Sequence, residues 1–175
     1  SFDEKNIIVD GTSIPVFAER SPKDLPWGDL DVDVVIESTG FFVKSEDAKQ
    51  HIEAGAKRVV ISAPAKDDGA ETIVIGANED ALESSDKVVF SNASCTTNSM
   101  AAVMDIIERE FGIEKAMMTT IHSYTADQKL QDAPHSDFRR ARAAATNIIP
   151  TTSGAAIAVA KTVPSLKGKF DGMAI

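Results

Sequence analysis

Ser91-Asn92-Ala93-Ser94-Cys95-Thr96-Thr97-Asn98 holds the only cysteine of the chain and lies between two unlike patterns. The apolar, β-rich run Val88-Val89-Phe90 leads into it and reads as a strand. Beyond it, Met100, Val103, Met104, Ile107 and Phe111 recur at helical spacing on one face, and Gly112 is placed to stop that helix. The octapeptide is therefore a strand-to-helix switch, with Cys95 at or near the first helical turn. Free backbone N–H groups and the positive end of the helix dipole favour a thiolate there. A lone cysteine is most often a small buried core residue. Ser94, Thr96, Thr97 and Asn98 argue against that reading, because four hydrogen-bonding side chains at one helix start suit an anion or a developing oxyanion.

Upstream of the switch the pattern is α/β. Asn6–Val9 and Ile14–Phe17 flank Asp10-Gly11 and read as a hairpin. Residues 18–30 carry Pro22, Pro26 and Gly28 and read as a loop with room for one helical turn; Trp27 reads as a packing anchor rather than a ligand platform. Val32–Glu37 is a nearly continuous apolar strand, as in a parallel sheet covered on both faces, and it runs into the small residues Ser38-Thr39-Gly40. Small residues at the carboxyl end of a parallel strand let a ligand approach the backbone. A helix is predicted over 45–54, opened by Ser45 with Glu46 and Asp47 in its first turn and ended by Gly55. Arg58–Pro64 is a second buried strand that also stops in small residues. Thr72–Gly76 and Lys87–Phe90 give two more. This order predicts an open α/β sheet. The glycine-rich dinucleotide fingerprint G-x-G-x-x-G is not in the sequence.

Downstream, Lys115–His122 reads as a strand ending in His122. A histidine at a strand end is ordinarily structural. A cysteine nucleophile, however, needs a neighbouring base or imidazolium, and histidine serves near neutrality. His51, in the predicted helix, and His135, beside Pro134, are weaker candidates. Residues 123–149 form a long connection bearing Arg139-Arg140-Ala141-Arg142; such connections are usually functional or disordered. The arginines read either as a charged face and inter-subunit ion pairs or as phosphate binders. Pro150–Ala156 opens a second helix, continued over 155–161 and followed by Pro164, and Phe170–Ile175 begins a strand.

A chain of 175 residues allows one large domain or two small ones. Its net charge of −9 argues against a general affinity for nucleic acid or acidic membranes. A single cysteine permits no internal disulfide, which fits a reducing compartment. No apolar run approaches the ~20 residues of a membrane span, and Ser1-Phe2-Asp3-Glu4-Lys5 lacks the regions of a signal peptide. Cytoplasm is expected, and no metal site is read. The chain starts without Met inside a hairpin and stops in a strand, so an internal piece of a longer protein is expected.

The octapeptide resembles the active-site segment of the phosphorylating glyceraldehyde-3-phosphate dehydrogenases. Thr120-Ile121-His122-Ser123-Tyr124-Thr125 is similar to the segment carrying that family's catalytic histidine, and the 27-residue spacing from Cys95 to His122 fits. The resemblance runs over essentially the whole chain. It implies an α/β fold: part of a Rossmann-type dinucleotide-binding domain over 1–93, then part of an α+β catalytic domain over 94–175. It implies Cys95 as nucleophile and His122 as base. Ser94, Thr96, Thr125, Arg142, Ser153 and Gly154 match substrate- or phosphate-binding positions, and Thr39, Gly40 and Ser62 match positions lining NAD or NADP. Ser153 stands where the family usually has threonine, and Ile157 where it has lysine, which removes a cation from that helix. The implied activity is NAD(P)-dependent oxidative phosphorylation of glyceraldehyde 3-phosphate to 1,3-bisphosphoglycerate in glycolysis, through a cysteine thioester, in a homotetramer without nucleic-acid or membrane partners. The rivals are an erythrose-4-phosphate dehydrogenase with the same two residues, a Cys–His hydrolase without cofactor, and an inactive piece or interaction protein.

Overall fold

Asp10 and Gly11 both take left-handed backbone, with φ of 49° and 81°. They fold β1 (Asn6–Val9) back onto β2 (Thr12–Pro15) as an antiparallel pair in the register Asn6↔Pro15. The computed structural model describes residues 1–175. It divides into one unit of Ser1–Glu71 with Lys87–Phe90, and a second of Thr72–Asp86 with Ser91–Ile175.

In the first unit β3 (Val34–Glu37) runs parallel to β4 (Arg58–Ile61), with Glu37 opposite Ile61. With β5 (Glu71–Thr72) and β6 (Val89–Ser91) the sheet order is β3-β4-β6-β5. Val59, Ile61 and Val89 pack with Ala48 and Ala70 into one core. The expectation that β3 is covered on both faces does not hold. Val35 and Glu37 are buried, whereas Val34 and Ile36 are 49% and 68% exposed, because β3 is an edge strand whose second face nothing in the chain covers.

The predicted helix over 45–54 forms as two short turns, α1 (Ser45–Ala48) and α2 (Gln50–Glu53). Ser45 is not its cap. The Ser45 N–H instead donates to Asp67 Oδ2 at 2.9 Å, so a carboxylate 22 residues away serves the helix start. Gly55 ends α2 at φ 108° and lies against a second glycine. A Cβ added there would stand 2.4 Å from Gly28 Cα and 2.5 Å from Gly28 N. Gly55→Ala thus combines a left-handed backbone with a backbone collision. It is expected to destabilise the full-length protein by about 3 kcal/mol, read by thermal denaturation. A melting temperature unchanged from wild type would show that the two backbone segments separate at no loss.

The strand predicted over Thr72–Gly76 stops after Thr72. The Ile73 N–H still donates to Ser91 O, but Val74 N–H turns to Asn78 Oδ1 (2.8 Å) and the Asn78 amide donates to Thr72 O (2.8 Å). The asparagine side chain competes with the ladder and closes a turn. A short helix that the sequence pattern does not predict follows, α3 (Ala81–Ser84).

In the second unit α4 (Cys95–Phe111) packs with α5 (Ala155–Thr162) over a sheet of β7 (Ala116–Thr120), β8 (Thr151–Thr152) and β9 (Phe170–Ala174). Its order is β7-β9-β8, with β7 and β9 parallel and β8 antiparallel. The strand expected to begin at Phe170 is thus the centre of this sheet. Ala101, Met104, Val159, Val163 and Leu166 make the core. Gly112 ends α4 at φ 72°, as expected. The apolar face is only partly buried. Thr97, Ala101 and Met104 face the core, while Val103, Ile107 and Phe111 are exposed, Phe111 by 84%. Ala101 and Met104 pack with Val159 of α5, so the buried side of α4 is not centred on the larger stripe. No helix is long and apolar enough to cross a membrane.

Candidate active site

The turn from β6 into α4 is fixed by its own polar side chains. Ala93 takes φ 57°, and its N–H donates to Ser91 Oγ at 3.1 Å. Ser94 is the N-cap of α4, with Oγ accepting from Thr97 N–H at 3.1 Å. The Asn98 amide reaches back to Asn92 O (2.7 Å) and Ser94 O (2.9 Å). Three of the four polar side chains therefore have a local structural use. They hold Cys95 as the first residue of α4, with its sulfur at the surface.

His122 stands just past β7, where its backbone N–H donates to Ile175 O at 2.9 Å and extends the β7–β9 pairing. Its Nδ1 lies 2.6 Å from Ser123 O. A carbonyl can only accept, so Nδ1 carries the proton and Nε2 is left to face the sulfur. Nε2 is 3.2 Å from Cys95 Sγ. The hydrogen bond to His122 lowers the thiol pKa and outweighs the opposing effect of desolvation, and the Thr96 N–H and hydroxyl lower it further. The Ser123 carbonyl, followed by the Cys95 contact, raises the pKa of His122. Both directions favour a thiolate–imidazolium pair. The pair opens into a cleft of about 360 Å³ lined also by Thr96, Ser99, Met118 and Thr120.

The other predicted positions lie outside that lining. Thr125 is exposed, and its N–H donates to Gln128 Oε1 at 2.7 Å. Arg142 is exposed and paired with Asp132 at 3.0 Å. Ser153 Oγ accepts from Ala155 N–H at 3.2 Å, and Gly154 is the N-cap of α5 with open space over its Cα. The long connection contains one 3₁₀ turn, Ala144–Thr146, and is tied by ion pairs within the chain. Arg140 binds Asp127, Thr151 Oγ1 and Thr152 O. Arg139 donates from its guanidinium and its backbone N–H to the Asp137 carboxylate and holds that carboxyl down at about 2. His135 is structural, its Nδ1 accepting from Asp137 N–H at 2.9 Å.

At the carboxyl edge of the first unit, Thr39 and Gly40 follow β3 and Ser62 follows the adjacent β4. Ser62 N–H donates to Glu37 O, so the two parallel strands end side by side. All three residues are exposed, and Gly40 has φ 78° with no atom within 4 Å of where a Cβ would stand. Small exposed residues and open backbone at neighbouring parallel strand ends fit a dinucleotide lying across that edge.

Sequence reasoning missed Ser123, which acts through its carbonyl and leaves no side-chain signal. It also missed Met118 and Thr120 in the cleft wall. The period of two along β7 would have found them, since 118, 120 and 122 share a face.

Comparison with known proteins adds two kinds of match. The glyceraldehyde 3-phosphate dehydrogenase NAD binding domain matches residues 1–45, and the C-terminal domain of the same enzyme matches residues 94–175. A glyceraldehyde-3-phosphate dehydrogenase of Streptomyces coelicolor is 57% identical over 175 residues, covering 100% of this chain and 52% of the relative. One from Geobacillus stearothermophilus is 55% identical over the same 175 residues, again with 100% and 52% coverage. Glyceraldehyde-3-phosphate dehydrogenase 1 of Bacillus subtilis is 54% identical, with the same coverage. The chain spans about half the length of the curated relatives it matches. Two domains of one enzyme, met in order along the chain, and relatives more than half identical across all of it lead to a single assignment: the chain belongs to the glyceraldehyde-3-phosphate dehydrogenase family.

Proposed function

We propose that the complete protein is a phosphorylating, NAD-dependent glyceraldehyde-3-phosphate dehydrogenase of the cytoplasm, acting in glycolysis as a homotetramer. The observation that carries this reading is the 3.2 Å contact of Cys95 Sγ with His122 Nε2 at the N-terminus of a 17-residue helix. The Cys95 thiolate attacks the aldehyde carbon, and the new oxyanion gains from the N–H groups of the first turn of α4. As the imidazolium, His122 gives its Nε2 proton to that oxyanion to make the hemithioacetal hydroxyl and takes it back as the carbon gives up its hydride, while the Ser123 carbonyl keeps the ring oriented, and a thioester to Cys95 results. Thr39, Gly40 and Ser62 would hold NAD, which would supply the acceptor for the hydride leaving that carbon.

Inorganic phosphate attacks the thioester, releasing the thiolate and an acyl phosphate. Thr96, Ser153 and the Gly154 N–H are suited to hold the phosphate groups of substrate and nucleophile, together with Thr125 and Arg142. Ser94 can join only when Thr97 is the donor in their 2.7 Å hydroxyl contact, which frees the Ser94 proton for an anion. Ile157, 72% exposed on α5, brings no cation to this set.

The test is NADH formation by the full-length protein with glyceraldehyde 3-phosphate. The rate is expected to require inorganic phosphate, and to be at least about tenfold higher in kcat/KM than with erythrose 4-phosphate. A preference for the four-carbon aldehyde would move the assignment to that rival. Acid release without NADH would favour the hydrolase.

A further inference from the structure

A line of hydrogen bonds in the first unit has no part in the chemistry above. Trp27 Nε1–H donates to His51 Nδ1 at 3.0 Å. His51 Nε2 lies 3.0 Å from Glu37 Oε2. Glu37 Oε1 accepts from Thr39 N–H at 2.7 Å and from the Thr39 hydroxyl. The hydroxyl oxygen in turn accepts from Phe41 N–H at 3.1 Å. The indole N–H only donates, so Nδ1 is the acceptor and the His51 proton sits on Nε2, aimed at the carboxylate. The His51 and Glu37 side chains are 6% and 2% exposed. A buried carboxylate persists only where donors converge on it, and here three do.

A buried polar pair of this kind adds little stability over an apolar one of the same volume. What it adds is direction. The line starts at a half-buried tryptophan and ends at the exposed turn Thr39–Gly40, which stands at the open strand edge. Each link sets the next: the indole selects the imidazole tautomer, the imidazole orients the carboxylate, and the carboxylate pins both donors of Thr39.

We propose that Trp27, His51 and Glu37 are positioning residues for the dinucleotide site, locking the Thr39–Gly40 turn in the form that receives the cofactor. The inference rests on the dehydrogenase reading. It separates two quantities: NAD affinity depends on the line, while thiol reactivity at Cys95 does not.

The experiment uses the full-length protein and measures the Kd for NAD by calorimetry. It adds hydrogen exchange of a peptide spanning 38–42 without cofactor, and iodoacetamide alkylation of Cys95. Glu37→Gln forces a donor against a donor at one end of the amide. It is expected to weaken NAD binding about tenfold and to speed exchange of the turn, with the alkylation rate unchanged. Trp27→Phe keeps an aromatic ring but removes the N–H donor together with part of the indole surface, and about threefold weakening is expected. His51→Gln, which offers one acceptor and one donor, should recover most of the affinity that His51→Phe loses.

Folded Glu37→Gln and Trp27→Phe proteins with wild-type Kd and wild-type exchange would overturn the positioning role and leave the dehydrogenase reading standing. So would a glutamine at 51 that binds as poorly as phenylalanine. A wild-type protein that binds no NAD would overturn both.

Discussion

Cys95→Ser in the full-length protein is expected to reduce NADH formation by on the order of 10⁴-fold or more, with the fold intact. The loss is large because, on the proposed route, the covalent intermediate is carried by the Cys95 sulfur, held 3.2 Å from the His122 imidazole. A serine hydroxyl at the same place stays protonated beside the same imidazole. The fold should survive because Cys95 is exposed and no core contact depends on its sulfur. Its backbone place at the start of α4 is set by the Ser94 cap and the Asn98 amide, which the substitution leaves alone. Two measurements check this together: steady-state turnover with glyceraldehyde 3-phosphate, NAD and phosphate, and the melting temperature. Mass spectrometry of the wild type incubated with aldehyde and NAD but no phosphate should show an acyl group on the peptide containing residue 95. Turnover within tenfold of wild type in the serine variant would remove Cys95 as nucleophile and, with it, the thioester route.

What the sequence discloses and what it hides divide along the range of the interactions. The switch at Ser91–Asn98 is legible because everything that builds it is local: an apolar strand, a serine cap acting three residues ahead, and a glycine past the end of α4. The Asp10-Gly11 hairpin is legible for the same reason. His122 is found through chemical need, since a reactive cysteine requires a partner, although the contact itself depends on β7 lying beside β9. Interactions across distance are not legible. Asp67 replaces the expected Ser45 cap from 22 residues away, and Asn78 ends β5 by turning two backbone groups into a loop. The His51 of the predicted helix is the middle of a buried line joining residues 24 positions before it and 14 before it. The apolar stripe of α4 includes Val103 and Phe111, which the fold leaves exposed, while Ala101 and Met104 are buried against α5, a choice that depends on the partner helix and not on the α4 sequence alone.

His122→Asn separates the two roles of the imidazole, and its expected effect is a loss of about 10²- to 10⁴-fold in kcat with a changed pH dependence of alkylation. In the wild type, the histidine holds the thiol pKa below its ordinary value while the Ser123 carbonyl, followed by the Cys95 contact, holds the imidazole pKa above its own. Both directions favour the thiolate–imidazolium pair, so iodoacetamide is expected to react below the pH at which a free thiol ionises. Asparagine keeps a hydrogen-bond donor but cannot carry the positive charge. The midpoint of the alkylation profile should therefore move up toward the ordinary thiol range. It should not reach that range fully, because the Thr96 N–H and hydroxyl still face the sulfur at the start of α4. The sign distinguishes this from simple loss of a base. A base acting on the hydroxyl proton alone would lower kcat and leave the thiol titration where it was. An alkylation profile that coincides with wild type, alongside a fall in kcat, would assign His122 to proton removal only and leave the helix N-terminus to activate Cys95 by itself.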